Sequence, residues 1–457
     1  MRKFIRTAFK SVALATLATA LMLGGWGAVT ASAQTITPMP IPPGKNFPLP
    51  QATIDSWIAT NNTAAIRNHA WDLWGGLAAP SGESFNGAPL PIWETWNGTE
   101  DLFPASGQTT TALTERVGQR PLRLFEVPLQ FHRKAGNLTA ALLAQDPNFQ
   151  VLSFNKFDPT EAAFITTPQP GPNGQTFAYN TQAGLLALNN AWPPGTTGQN
   201  RGVKEFPITA IELKPVFMLV KATGLTPQPL WQGPSGSTKP ANPTPNTWTT
   251  CVLVDPQGSG AITPATPAQI ASVAATKGPA CATFLYGPLS LFYSFKMSAA
   301  EAAAFGRGAV VGDYAVLVAM HVNTKEIPFW TWQTFWWQPG ADTPNGFPGD
   351  KKGQPAGLPE PWNNYATCAS YAQTTTPSGS KMQICFNPYL ETSPSIPAGI
   401  TSNCMSCHGT SRVMANPPGQ PYPPDYKKPI NFFGNPTWFN AQTTHTDFSW
   451  ALPDDSN

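Results

Sequence analysis

Cys404-Met405-Ser406-Cys407-His408 sets two thiols three residues apart, with an imidazole directly after the second. Thiols at that spacing reach the two vinyl groups on one edge of a haem while the adjoining imidazole reaches its iron, so the pentapeptide reads as a covalent haem-attachment site. The chain spends both residue types sparingly, with 6 Cys and 5 His among 457 residues, and a chance match is not expected. Zinc is one alternative, but it takes four ligands, and no second Cys-x-x-Cys or His-x-x-x-His pair supplies the missing two. A thioredoxin-like redox pair is another. Its βαβ setting is absent, since Pro397 precedes the motif and Pro417-Pro418 follow it.

An iron held by His408 has a second axial position, and the residues leave it open among His321, His445, Met320, Met382, His132, His69 and no protein ligand. Met414 follows His408 too closely to swing to the opposite haem face. His321 ends the apolar run Tyr314-Ala-Val-Leu-Val-Ala-Met-His321 beside a Trp-rich partner, so it is expected at the distal face as ligand or pocket residue, with a core histidine bonded to backbone as the equal alternative. His445, in Thr443-Thr444-His445-Thr446, reads as part of a solvated polar turn; His69 shares the apolar spacing of Ile66, Ala70 and Leu73 and reads as core; His132 adjoins Arg133 and Lys134 and reads as exposed. Glu212 and Lys214 share one strand face because they are two apart. They suit a solvated face better than a proton-handling pair or a propionate contact.

These residues need elements to hold them. Ile54, Trp57 and Ile58, then Ile66, Ala70, Leu73 and Trp74, recur at helical spacing, with Asn61-Asn62 as a break and Gly75-Gly76 as a stop. Capping boxes at Thr266-Pro-Ala-Gln269 and Ser298-Ala-Ala-Glu301 predict two further helices, ended by Gly278 and Gly306. Runs rich in β-branched and aromatic residues predict strands at 208–220, 251–254, 291–296, 314–323 and 330–337. The last two form a hairpin with a longer loop, and Trp330, Trp332, Thr334 and Trp336 share one face of its second strand as packing. Segments 226–247 and 338–361 read as loops or linkers. The expected fold is therefore α+β and β-rich: an antiparallel sheet or sandwich-like body over 34–355 with short helices, and a loop-rich haem-attachment region over 356–457 packed on it.

Charged residues are only 11% of the chain and the formal net charge is +2, which suggests neither a nucleic acid nor an acidic membrane surface as partner. With 51 Pro and 38 Gly, long helices are not expected. The 16 Trp and 26 Phe argue for a packed core over a solvated coil. Residues 1–33 carry a basic start, an apolar stretch from Ser11 to Val29 and a small-residue Ala31-Ser32-Ala33 site, so they read as a signal peptide, with no transmembrane segment in the mature chain. In an oxidising compartment Cys251, Cys281, Cys368 and Cys385 can close two disulfides. Nearest pairing gives Cys251–Cys281 and Cys368–Cys385, one of three possible connectivities.

Cys404-Met-Ser-Cys-His-Gly409 resembles the attachment segment of a c-type cytochrome. Trp93-Glu-Thr-Trp96, Glu205-Phe-Pro207, Ile211-Glu-Leu-Lys214, Met320-His-Val322 with Lys325, and Trp330-Thr-Trp-Gln-Thr-Phe335 extend the likeness to a group of large exported single-haem c-type proteins without an established function. The resemblance implies one covalent haem c on Cys404, Cys407 and His408, attached outside the cytoplasm, hence a periplasmic or otherwise exported bacterial protein. Small cytochromes c carry the motif near the start of their domain. Here it lies near the end of the chain, so the haem is expected against the larger body. Electron transfer with a redox partner protein or small-molecule donor or acceptor is the leading expectation; a peroxidase- or oxygenase-like haem enzyme and a haem-based ligand sensor are the alternatives.

Overall fold

The computed structural model describes residues 36–103, 123, 125–128, 151–197, 200–233, 244–274, 281–340, 348–371, 384–392, 396, 399–413 and 443–455. The candidate signal peptide at 1–33, His132, Met382 and Met414 lie outside the described residues. Two hairpin strands come first, β1 (Pro80–Phe85) and β2 (Ala88–Pro91). The short β3 (Asn97–Gly98), β4 (Leu152–Ser153), β5 (Lys156–Phe157), β6 (Gln169–Pro170) and β7 (Thr176–Phe177) follow. After the long β8 (Ile211–Val220) come β9 (Thr226–Pro229), β10 (Thr250–Asp255), β11 (Thr263–Pro264) and β12 (Thr283–Pro288). The last four are β13 (Ser294–Lys296), β14 (Tyr314–Thr324), β15 (Thr331–Trp337) and β16 (Tyr365–Tyr371).

The main sheet has the order β16-β15-β14-β8-β5-β3, with β13 also on β14 and β4 on β8, and every pairing in it is antiparallel. A smaller sheet, β11-β12-β10-β9, pairs β10 and β12 in parallel. The fold is thus α+β and β-rich, with short helices. The predicted hairpin is present as β14 and β15. Residues 226–229, read as linker, instead form β9 on the edge of the smaller sheet, and Ile208 lies outside β8 and is exposed. Cys251–Cys281 and Cys368–Cys385 are disulfides, the first tying β10 to the residues before β12 and the second tying β16 to the segment after it.

Register assigns the two faces of the main sheet. His321 is opposite Thr334 and Lys214; Asn323 is opposite Trp332 and Glu212; Thr334 is opposite Cys368. Opposed residues share a face, so Glu212, Lys214, His321, Trp332, Thr334 and Cys368 form one wall. Leu213, Met320, Val322 and Phe335 belong to the other. That second face is covered by helix Thr63–Leu77, which stacks Trp74 on Phe335 at 4.3 Å between ring centroids and sets Trp71 at 5.7 Å from it. The helix starts where expected, its Asn62 cap accepting from the Ala65 N–H, but runs through Gly75-Gly76 to Leu77. Gly76 is there for close approach, since a Cβ would meet Ile41 at 2.9 Å.

Both capping boxes form, and Gly306 ends the second helix with φ of 62°, a value suited to glycine. The first helix stops at Val273, before Gly278, which lies outside the described residues. In the Trp93–Trp96 turn both tryptophans are fully buried and Glu94 pairs with buried Arg123, which itself lies 3.6 Å over the Phe295 ring. That cluster is a packing device far from the motif in sequence. β16, which lies beyond residue 356, is an integral strand of the main sheet, and the described residues from Ile36 onward belong to one compact unit.

Candidate functional site

The segments after β16 return to the wall that carries His321 and Trp332. Asn387 donates from Nδ2 to Thr334 Oγ1 (2.7 Å) and to the Phe335 carbonyl (3.0 Å), and the Cys368–Cys385 disulfide holds the same stretch to the sheet. One helical turn, Cys404–His408, then forms against the wall. Asn403 caps it by accepting from the Ser406 N–H at 3.1 Å and the Ser406 hydroxyl at 3.2 Å, which satisfies amides that a helix start otherwise leaves bare. The turn buries Met405 and Ser406 completely and leaves Cys404, Cys407 and His408 half-buried. Residues three and four apart share a helix face. The two thiols and the imidazole therefore share one side of the turn, and neither thiol belongs to a disulfide. Burial pushes the Cys404 thiol well above its ordinary range, and the nearby Glu391 carboxylate and Cys407 add to it.

His408 Nδ1 lies 2.8 Å from the Phe448 carbonyl oxygen, and its ring sits 4.4 Å from that of Trp332. A carbonyl only accepts, so the proton belongs on Nδ1 and the imidazole is held as the tautomer with Nε2 as the lone-pair nitrogen. This bond depends on an unusual stretch of backbone. Asp447 and Phe448 both have positive φ, 49° and 68°, and each such residue costs on the order of 1–2 kcal/mol in an L-chain. The Asp447 carboxylate offsets that by accepting from Lys325 Nζ at 2.7 Å and the Phe206 N–H at 3.0 Å. The Phe448 ring packs on Phe329, and Ser449 Oγ donates to Glu212 Oε2 at 3.0 Å.

His321 stands on the same wall, half-buried, with Nε2 at 3.1 Å from Glu391 Oε1. Glu391 is fixed in turn by the Asn387 N–H and by the close approach of Gly399, where a Cβ would fall 2.1 Å from the Glu391 carbonyl oxygen. His69 is core, as expected: it lies on the opposite side with Nδ1 at 2.8 Å from the Tyr371 hydroxyl and Nε2 at 3.3 Å from Glu326. Met320 is fully buried on that opposite face too. His445 is not in a solvated turn. It bridges Gly202 on one side and Arg412 on the other, and burial, then Arg412 and Lys325, lower its imidazole to about 4.

Two expectations change for the wall itself. Glu212 is buried, so its strand face is packed and not solvated; burial raises its carboxyl to about 7 against the pull of Ser449 and Lys214. Trp330 is not on β15. It has φ of 59° at the corner before the strand, where it packs on Phe206, while Trp332 takes the place beside His408. Asn403, Glu391, Phe448 and Glu161 were missed. Only Asn403 had a local signal, a preferred N-cap residue just ahead of the motif. The chain matches no known protein family, curated protein or solved structure.

The residues present fit a covalently attached haem. Two thiols and one imidazole share one side of a single turn, and the imidazole already makes the outer-shell bond that orients iron-ligating histidines. Among the described residues no group of three or more His, Cys, Asp or Glu converges as a site for a bare metal ion. No helix among them is long and apolar enough to cross a membrane.

Proposed function

We propose that this chain is an exported electron-transfer protein that binds one haem c through Cys404 and Cys407, with His408 as axial ligand. The observation that carries the reading is the His408 Nδ1 bond to the Phe448 carbonyl, because it orients the motif imidazole for ligation through Nε2. Haem bound there would supply one-electron redox chemistry to a partner protein or a small donor or acceptor. The chain's own part is to hold the ring, exclude water with Trp332, Phe448 and Met405, and keep both thiols on one face. Disulfides at both pairs support export, since such bonds persist in oxidising compartments.

His321 decides between two variants of this reading. As the second axial ligand it would give a low-spin iron; as a pocket acid/base group it would leave an open position suited to a haem enzyme or a ligand sensor. Its Nε2 lies 3.1 Å from Glu391 Oε1, so ligation through that nitrogen would displace the carboxylate. Denaturing electrophoresis with a haem stain tests the attachment: Cys404→Ala with Cys407→Ala removes the stained band, and acid-acetone extraction of haem from the wild type overturns the proposal. Spectra with and without carbon monoxide or cyanide, in the wild type and in His321→Ala, separate the two roles.

A further inference from the structure

Behind the loop that orients His408 lies a pair of buried carboxylates that the attachment chemistry does not use. Glu161, on helix Pro159–Thr166, is completely buried, and among the described residues neither carboxylate oxygen has a hydrogen-bond partner. Glu212, on β8, is buried close enough to act on it electrostatically, and Glu212 Oε2 accepts from Ser449 Oγ. The surrounding charges come from three directions. Asp158 caps the Glu161 helix, accepting from the Thr160, Glu161 and Ile211 N–H groups. Lys214 faces Glu212 from its own strand. Asp447 comes from the histidine-orienting loop and is paired with Lys325, which also lies 4.0 Å from Glu205. Among the described residues no cation is paired directly with Glu161, and an isolated buried carboxylate takes a proton before it keeps a charge.

We propose that Glu161 and Glu212 together hold one exchangeable proton, taken up when the attached haem gains an electron and released when it loses one. The proposal rests on the haem reading above. In the step, an external one-electron donor reduces the iron and the pair takes one proton from water, so the charge added at the iron is balanced within the same buried region; oxidation reverses both transfers. The connection is short: Glu212 accepts from Ser449, and Ser449 follows Phe448, whose carbonyl accepts a hydrogen bond from His408 Nδ1–H. Burial, then Glu212, Asp158 and Asp447, hold the Glu161 carboxyl well above its ordinary range, and burial pushes the Glu212 carboxyl up to about 7. One of the two is therefore protonated in the range where a small change in nearby charge moves the proton. Linkage makes the effect reciprocal, so a proton on the pair must favour the reduced iron by the same factor that reduction favours the proton.

The test uses the full chain. Infrared spectra of the haem-free protein at neutral pH are expected to show a buried carboxylic acid carbonyl band that is lost in Glu161→Gln; absence of the band in the wild type overturns the proton site whatever the haem does. Spectroelectrochemical titration of the haem-loaded protein is expected to show a midpoint potential that falls as pH rises through neutrality, approaching about 59 mV per tenfold change in proton activity. Glu161→Gln and Glu212→Gln should each flatten that slope, and Glu212→Gln serves if the other variant folds poorly. A wild-type potential independent of pH, or a slope intact in both variants, overturns the coupling. A chain that stains for no haem overturns the coupling together with the function it rests on, and the infrared result then stands by itself.

Discussion

Replacing Glu161 with glutamine should change how the stability of the protein depends on pH, with a sign and size that follow from burial. In the unfolded chain a glutamate titrates near 4.3. In the folded protein burial and the neighbouring carboxylates hold Glu161 well above that value. Between the two, the folded state binds a proton that the unfolded state has lost, so stability is fully present below the unfolded value and falls as pH rises. While the folded state keeps that proton, stability falls by about 1.4 kcal/mol per pH unit, the limiting slope for a single group. Glutamine is a neutral near-isostere of the protonated side chain and carries no such dependence. Urea unfolding of both proteins from pH 5 to pH 7, with the disulfides intact, should give stabilities that diverge as pH rises, at no more than that slope, the variant gaining on the wild type. Parallel curves would refute the reasoning, because they would mean that Glu161 is ionised in the folded protein as readily as in the unfolded chain.

Gly202→Ala should lower stability by about 1–3 kcal/mol in the same assay, because the added Cβ would lie 2.5 Å from His445 Cε1, in a residue whose backbone is bridged to Gly202 and Arg412. Removing the Cys251–Cys281 bridge by double alanine substitution should cost about 3–4 kcal/mol in urea unfolding, from the chain entropy of a loop with a sequence separation of 30. Alkylation of the haem-free chain under denaturing, non-reducing conditions should mark Cys404 and Cys407 alone. Asn403→Ala should destabilise the motif turn by about 1 kcal/mol and lower the yield of haem attachment, whereas Asn403→Asp, which keeps the capping acceptor, should restore it.

The parts legible in the sequence are those whose physics is local. Covalent attachment to one haem edge dictates a spacing inside five residues, so Cys404, Cys407 and His408 can be read without a fold. Capping boxes close within four residues, and Thr266 and Ser298 both start helices as expected. Runs rich in β-branched and aromatic residues placed His321, Trp332, Glu212 and Lys214 on strands, and antiparallel pairing then put all four on one wall. What alternation does not say is what covers a face: Glu212 and Lys214 look like a solvated pair because charges usually face water, and Glu212 is buried only because a segment 237 residues away returns to lie on it. A separation of 40 residues hid the acceptor for His408, which is a backbone carbonyl in a strained loop and carries no residue signature at all. Trp330 was misplaced for a related reason, since composition extended the strand by one residue into a corner where positive φ turns the ring toward Phe206. The loop at 447–449 is thus where the motif stops being a local feature. Its backbone strain is tolerable only because Asp447, Phe448 and Ser449 each have a partner on a different element, Lys325 on the hairpin, Trp332 on β15 and Glu212 on β8. Any change at one of those three partners should therefore be felt at the His408 imidazole even though none of them belongs to the attachment motif.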